Sequence, residues 1–197
     1  MSKADPASQK KERNKAIRWV VTIFITTIAI SAVISLISEE VMAISGTVTA
    51  FLILLAIILV GILFDVIGVA VTSADDKPFH SMAARKVPGS REAIQLLRNA
   101  ERVSSICNDV IGDICGVVSG AASATIAARI LASFEFSWPR MVTLAMSAVV
   151  AGLTVGGKAL SKGFAIKSST KIVHTAGKAI RFFKQIPTYF SKKQTKR

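Results

Sequence analysis

Four long apolar runs constrain this chain more than any other feature of its sequence. They are Trp19 to Ser38, Val41 to Phe64, a Gly- and Ala-rich run from Ile114 to Ala128, and Met141 to Gly157. None carries a charge. About 20 apolar residues in a helix cross a hydrocarbon core, and about 17 suffice at the short end. The first two runs meet that length outright. The third and fourth meet it if their charged ends lie near the interface or inside a helix bundle. The expected fold is an all-α membrane protein with about four transmembrane helices, covering roughly 19–40, 47–73, 104–133 and 140–164.

The net charge of +13 is unevenly distributed. Lys3, Lys10, Lys11, Arg13, Lys15 and Arg18 precede the first run. Lys77, Arg85, Lys86, Arg91, Arg98 and Arg102 lie between the second and third. Lys167, Lys171, Lys178, Arg181 and Lys184 come after the fourth, with a basic terminus beyond them. The other two connections are short, with Glu39 and Glu40 in one and Glu135 and Arg140 in the other. The positive-inside rule puts both termini and the long middle connection in the cytoplasm, in a plasma or inner membrane. Basic residues that flank apolar spans point to anionic lipid headgroups, not nucleic acid. The first run is long for a signal peptide and no clear small-x-small cleavage site comes after it, so a retained anchor is expected.

Residues 1–15 read as a disordered basic tail. Between the second and third runs, Lys77-Pro78 and Val87-Pro88-Gly89-Ser90 punctuate two short helical patterns, a cytoplasmic juxtamembrane hairpin with Ser90 as N-cap of its second helix. In 166–186, Lys167, Lys171, His174, Lys178 and Arg181 share one helical face, and Ile172, Val173, Ala176, Ile180 and Phe183 the other. Such a helix lies in the membrane interface with its basic side toward headgroups, and Pro187 is expected to end it. His174 and His80 read as exposed. Gly112, Gly116 and Gly120 recur every four residues, as do Ala148, Gly152 and Gly156, so each set reads as a close-packing seam, within one chain or across a dimer. Cys107 and Cys115 are eight residues apart on one helix, which favours packing over pairing or metal binding.

The chemistry lies in the ionisable residues inside the spans. Charge in hydrocarbon is costly, so such residues face a bundle interior or a watery cavity. Asp65, Asp109, Asp113 and Lys158 fall at similar depths near the ends expected to face the cytoplasm. Asp109 and Asp113 are an i, i+4 pair. Asp109 reads as reaching water at the helix end. Asp113, a turn deeper, is a candidate for a proton, a cation or the Lys158 ammonium.

Phe64 to Ser73, a short helical pair over Phe79 to Val103, Cys107 to Ile111 and Gly157 to Lys162 come in an order and spacing that resembles the CNNM/CorC transmembrane domain over roughly residues 47–185. Phe64-Asp65-Val66-Ile67-Gly68-Val69-Ala70-Val71-Thr72-Ser73 resembles its F-S-G-S-E-T-A-L-T-S signature. Phe79 to Val103 is similar to its two juxtamembrane helices. Cys107-Asn108-Asp109-Val110-Ile111 resembles its G-N-N-L-V motif, and Gly157-Lys158-Ala159-Leu160-Ser161-Lys162 its G-E-I-L-P-K motif. The resemblance implies a homodimer linked to magnesium or other divalent-cation transport, with Asp65 and Asn108 at ion-site positions; Asp109 and Asp113, read from their place in the span, complete the candidate metal ligands. Carried across, a site serine becomes Asp65, the asparagine remains as Asn108, and the glutamate becomes Lys158. The signature's own glutamate becomes Gly68. The family's CBS-pair domains have no counterpart in these residues, which makes a separate cytoplasmic regulatory chain a candidate partner.

Those exchanges shape the functional expectation. Magnesium takes hard oxygen ligands, and an ammonium in place of a carboxylate repels it. An Asp65–Lys158 ion pair, helped by Asn108, replaces the bound cation in this reading. Two classes are then open: a divalent-cation-transport protein with an altered ion site, or a non-transporting scaffold or regulatory subunit. No nucleophile–base constellation points to an enzyme. The chain divides into a tail (1–15), an additional N-terminal helix with a short external loop (16–46), a CNNM-like core (47–165), and an amphipathic helix with its tail (166–197).

Overall fold

The computed structural model describes residues 6–135 and 137–194. Every regular element among them is a helix. There are seven: α1 (Pro6–Ile44), α2 (Thr47–Ser73), α3 (Lys77–Ala84), α4 (Ser90–Arg98), α5 (Ala100–Ser133), α6 (Pro139–Lys167) and α7 (Ser169–Gln194). Four of them, α1, α2, α5 and α6, are long and apolar enough to cross a membrane. Their bounds match the sequence expectation except in α1, which begins at Pro6. Residues 6–15 therefore extend a helix where a tail was expected. Ala7, Gln9, Lys10, Lys11, Glu12 and Arg13 are nearly all good helix formers, and they continue a helix already nucleated by the apolar run.

The long helices run alternately up and down. At one end, Met42, Ala50, Leu54, Ile58, Ala122, Ile126 and Val150 close a core. Small residues at Ala50 and Ala122 let these helices approach closely, the usual basis of helix association in lipid. The α1–α2 turn at Ser45 and Gly46 is tied there by Arg129 of α5. Its Nη1 donates to Ser45 O at 2.8 Å and its Nη2 to Met42 O. The guanidinium thus satisfies carbonyls that the end of α1 leaves without helical partners. At the basic end, Ala70, Val71, Phe79, Ala93, Ala165 and Val173 form a second core that joins α2, α3, α4, α6 and α7. Along the middle, Ile23 and Ile57 pack on Val110, Ile114 and Val118.

Two elements differ from expectation. The α5 helix is not uniform: Ser105–Gly112 is a π-helical stretch between α-helical ends. The wider turn rotates the remainder of α5 relative to a straight α-helix, and such insertions recur at functional sites. The second difference is α7. The helix was expected to lie in the membrane interface on its apolar face, and part of that face is taken up inside the chain: Val173 is fully buried against the α3–α4 hairpin, with Ile172 packed beside it. The hairpin supplies an apolar surface from Phe79, Ala93 and Ile94 for these residues, while Phe183 farther along the same face is exposed. Nor does Pro187 stop α7, which continues to Gln194. A proline inside a helix forfeits one ladder bond and bends the chain without having to end it.

Outside these contacts the long helices present apolar side chains. Phe24, Leu36, Leu52, Leu63, Leu144 and Leu160 are all more than half exposed. Apolar surface on this scale is far beyond the patches a water-soluble monomer carries, and it suits hydrocarbon as the surrounding solvent.

Candidate functional site

Three helices bring charge to one point. Asp65 sits on α2, 8 positions before its end at Ser73. Lys158 sits on α6, and Asp113 opens the α-helical part of α5 immediately after the π stretch. Lys158 Nζ lies 3.6 Å from Asp65 Oδ1 and 3.9 Å from Asp113 Oδ1. The ammonium therefore bridges two carboxylates on two different helices. Their surroundings differ sharply. The Asp65 side chain is 7% exposed and that of Lys158 21%, whereas that of Asp113 is 72% exposed. Asp113 lies toward the outside of the chain, contrary to the interior position its depth suggested. Depth is set by position along a helix, but the direction a residue faces depends on helix phase, which the π stretch alters.

Close approach around the lysine depends on Gly112. A methyl group there would lie 3.1 Å from Lys158 Nζ and 3.3 Å from Cys107 O. Gly112 is buried, while Gly116 and Gly120 have open space where a side chain would be. The expected seam of three glycines is thus split within a single chain: one faces the charge cluster and two face outward. Gly152 and Gly156 on α6 are likewise open.

Asn108 lies against α2 beside this cluster. Its Nδ2 donates to Ser104 Oγ at 3.2 Å, and its Oδ1 approaches Gly68 so closely that a methyl on Gly68 would collide with the carboxamide. The absence of a side chain at Gly68 is what lets the carboxamide approach α2 this closely. The expected assistance of Asn108 to the ion pair is not what its bonds show. Two buried acceptors lack a hydrogen-bond partner among the described residues: Asp65 Oδ2 and Asn108 Oδ1. Such groups are costly in an apolar interior and mark places where a donor, a water or a cation is accommodated.

Asp109 stands apart. It is exposed, and its Oδ2 accepts from Ser105 Oγ at 2.7 Å within the π stretch. The tentative set of Asp65, Asn108, Asp109 and Asp113 therefore does not form one cage. Among the described residues no group of three or more His, Cys, Asp or Glu side chains could hold a metal ion. Lys158 is the residue that joins Asp65 and Asp113, and its charge opposes a divalent cation at the same point.

The basic residues of α7 divide by position. Lys167 at the end of α6, and Lys171 and Lys178 on α7, are exposed, while Arg181 is partly buried. His174 was expected to be a surface residue on the basic stripe. Its Nε2 lies 3.1 Å from Pro88 O and tethers α7 to the α3–α4 turn. Ser90, expected as a cap, makes no capping bond. Its Oγ donates backward to Val87 O at 2.7 Å, and α4 begins behind Gly89. The His174 contact was not legible in the sequence, because it joins residues 86 positions apart; the Ser90 bond is local and follows from the helix beginning one residue earlier than the cap position assigned to Ser90.

Comparison with protein-family models, with curated proteins and with solved structures finds no match for this chain. What stands is an all-helical chain with four helices long and apolar enough to cross a membrane, and a lysine-bridged carboxylate pair within them.

Proposed function

We propose that this chain is a membrane protein of CNNM/CorC-like design in which its own lysine takes the place of a divalent cation, so that it serves as a non-transporting scaffold or regulatory subunit. The observation that carries this reading is the Lys158 ammonium between Asp65 and Asp113. Two carboxylates from different helices would repel each other without a cation between them. An ammonium from a third helix fills that role and ties α2, α5 and α6 together. Basic connections on the α3–α4 side orient the protein with that side in the cytoplasm. A second copy of the chain is the partner this reading expects, and no catalytic role is assigned.

Asp65 Oδ2 and Asn108 Oδ1 favour a second reading, divalent-cation transport with an altered site. Two buried oxygens with no donor keep part of a hard-ligand environment. Calorimetry with magnesium on the purified full chain in detergent separates the two. The first reading expects no binding to the wild type and binding to Lys158→Glu, which restores the carboxylate of the family pattern. Magnesium bound by the wild type and lost in Asp65→Asn would sink the first reading and support transport.

A further inference from the structure

The turn between α3 and α4 has an uncommon shape. Lys86 has φ 57° and Gly89 φ 85°. A residue with a Cβ is disfavoured in this left-handed region, so Lys86 holds a conformation better suited to glycine. The turn closes α3 through Lys86 N–H donating to Ala83 O and Val87 N–H to Met82 O, both at 3.0 Å. The α7 helix clamps it from outside. A methyl on Gly89 would lie 2.7 Å from the Lys178 backbone nitrogen, and one on Gly177 would collide with Gly89 O.

Beside this clamp is a cleft of about 360 Å³. Its lining includes Lys86 from the turn, Arg91 from the first turn of α4, and Arg181 from α7. Glu92 is the one carboxylate among the lining residues. None of the three cations forms a salt bridge among the described residues. Like charges from three separate segments are thus gathered around one concavity with Glu92 as the one carboxylate in its lining, which leaves an excess of positive charge attractive to anions.

We propose that this cleft binds a phosphate monoester, with Lys86, Arg91 and Arg181 as its cationic contacts. Charge balance selects the ligand class. The lining carries two net positive charges, three cations against Glu92, and a phosphate monoester carries about two negative ones near neutral pH. Guanidinium groups pair with phosphate oxygens through two parallel hydrogen bonds, and the lysine acts as a point charge. The monoester is supplied either by an anionic lipid headgroup or by a soluble phosphate. The inference is independent of the charge cluster within the spans.

The test is calorimetry on the purified full chain in detergent, titrated with short-chain phosphatidic acid, with phosphatidylcholine of the same chain length, and with inorganic phosphate. Saturable binding of phosphatidic acid without binding of phosphatidylcholine is expected. Each of Lys86→Gln, Arg91→Gln and Arg181→Gln should weaken it about tenfold, the loss of one charge-assisted contact. Lys77→Gln, an exposed cation outside the lining, should leave it unchanged. Lys86→Gly is the sharpest variant: it relieves the backbone at φ 57° and so should unfold no earlier than wild type, yet bind about tenfold more weakly. Equal affinity for inorganic phosphate assigns a soluble ligand, and binding of the lipid alone assigns a headgroup. No saturable binding of either probe, unchanged affinity in Lys86→Gly, or an equal loss in Lys77→Gln overturns the proposal.

Discussion

Lys158 has two carboxylate partners with different surroundings, and this governs what its loss should do. With Lys158→Met, Asp65 keeps its buried position and loses its cation. Breaking one half of a buried pair costs about 3–5 kcal/mol, because the remaining charge is left uncompensated. The double variant Asp65→Leu with Lys158→Met removes both charges and should recover most of that loss, since apolar replacement of a buried pair is often close to neutral. Thermal unfolding in detergent measures both. A single variant as stable as the wild type would show that Asp65 does not depend on the lysine. The chemistry of this cluster was legible in the sequence, because charges inside apolar spans stand out. The reach of Asp109 toward water agrees with its place near the helix end, and Lys158 was among the partners open to Asp113; the outward exposure of Asp113 was not legible. Hydropathy records how deep a residue lies but not which way it faces, and the π stretch from Ser105 to Gly112 resets that direction early in α5.

Among the elements, α7 shows how an amphipathic pattern can leave part of its partner unnamed. The helix and its apolar face are present as the periodicity implies; Val173 and Ile172 of that face pack on the α3–α4 hairpin, while Phe183 is exposed. Periodicity identifies a face to be buried, while the covering surface comes from residues far away in sequence. The contact is close because Gly177 lies against Gly89 O and Ala93 N. Gly177→Leu should therefore release α7 at a cost of about 1–3 kcal/mol, the range for overpacking. Tryptic cleavage at Lys167 or Lys171 should rise at least about fivefold as the released state becomes populated. An unchanged digestion pattern would mean that other contacts hold the helix. The fully buried Val173, and His174 tethered to Pro88 O, are the contacts that would carry it.

At the scale of the whole molecule, the outer surface of α6 carries a continuous strip of small residues. Ala145, Ala148, Gly152, Ala159 and Gly163 are exposed, and Gly156 between them is open. In lipid such a strip lets a second helix approach closely and gain van der Waals contact. Under the proposed function a second copy lies there. Gly152→Leu with Gly156→Leu should convert a dimer to monomers without lowering the unfolding temperature, because neither position has a neighbour within 4 Å in the single chain. Cross-linking through Ala148→Cys in native membranes reads the association directly. A wild type that does not cross-link would remove the α6 interface.

The sequence alone determined the class of the molecule. Four apolar runs of membrane length, with charge confined to their ends and to a few interior sites, leave little besides a bundle of membrane-length helices. Helix bounds in the apolar segments came from the same pattern, since each end is set by proline, glycine or charge close by in the chain. The Asp65–Lys158 pair was expected from the sequence, but only the tertiary structure decided its geometry, the outward exposure of Asp113, which glycines face inward, and what packs on Val173 of α7. Each depends on rotation about a helix axis and on contacts between residues far apart in sequence. Lys158 and Asp65 meet across 93 positions at 3.6 Å. Nothing local to either residue states that distance. It arises from packing α2 against α6, with Gly112 leaving room for the ammonium between them.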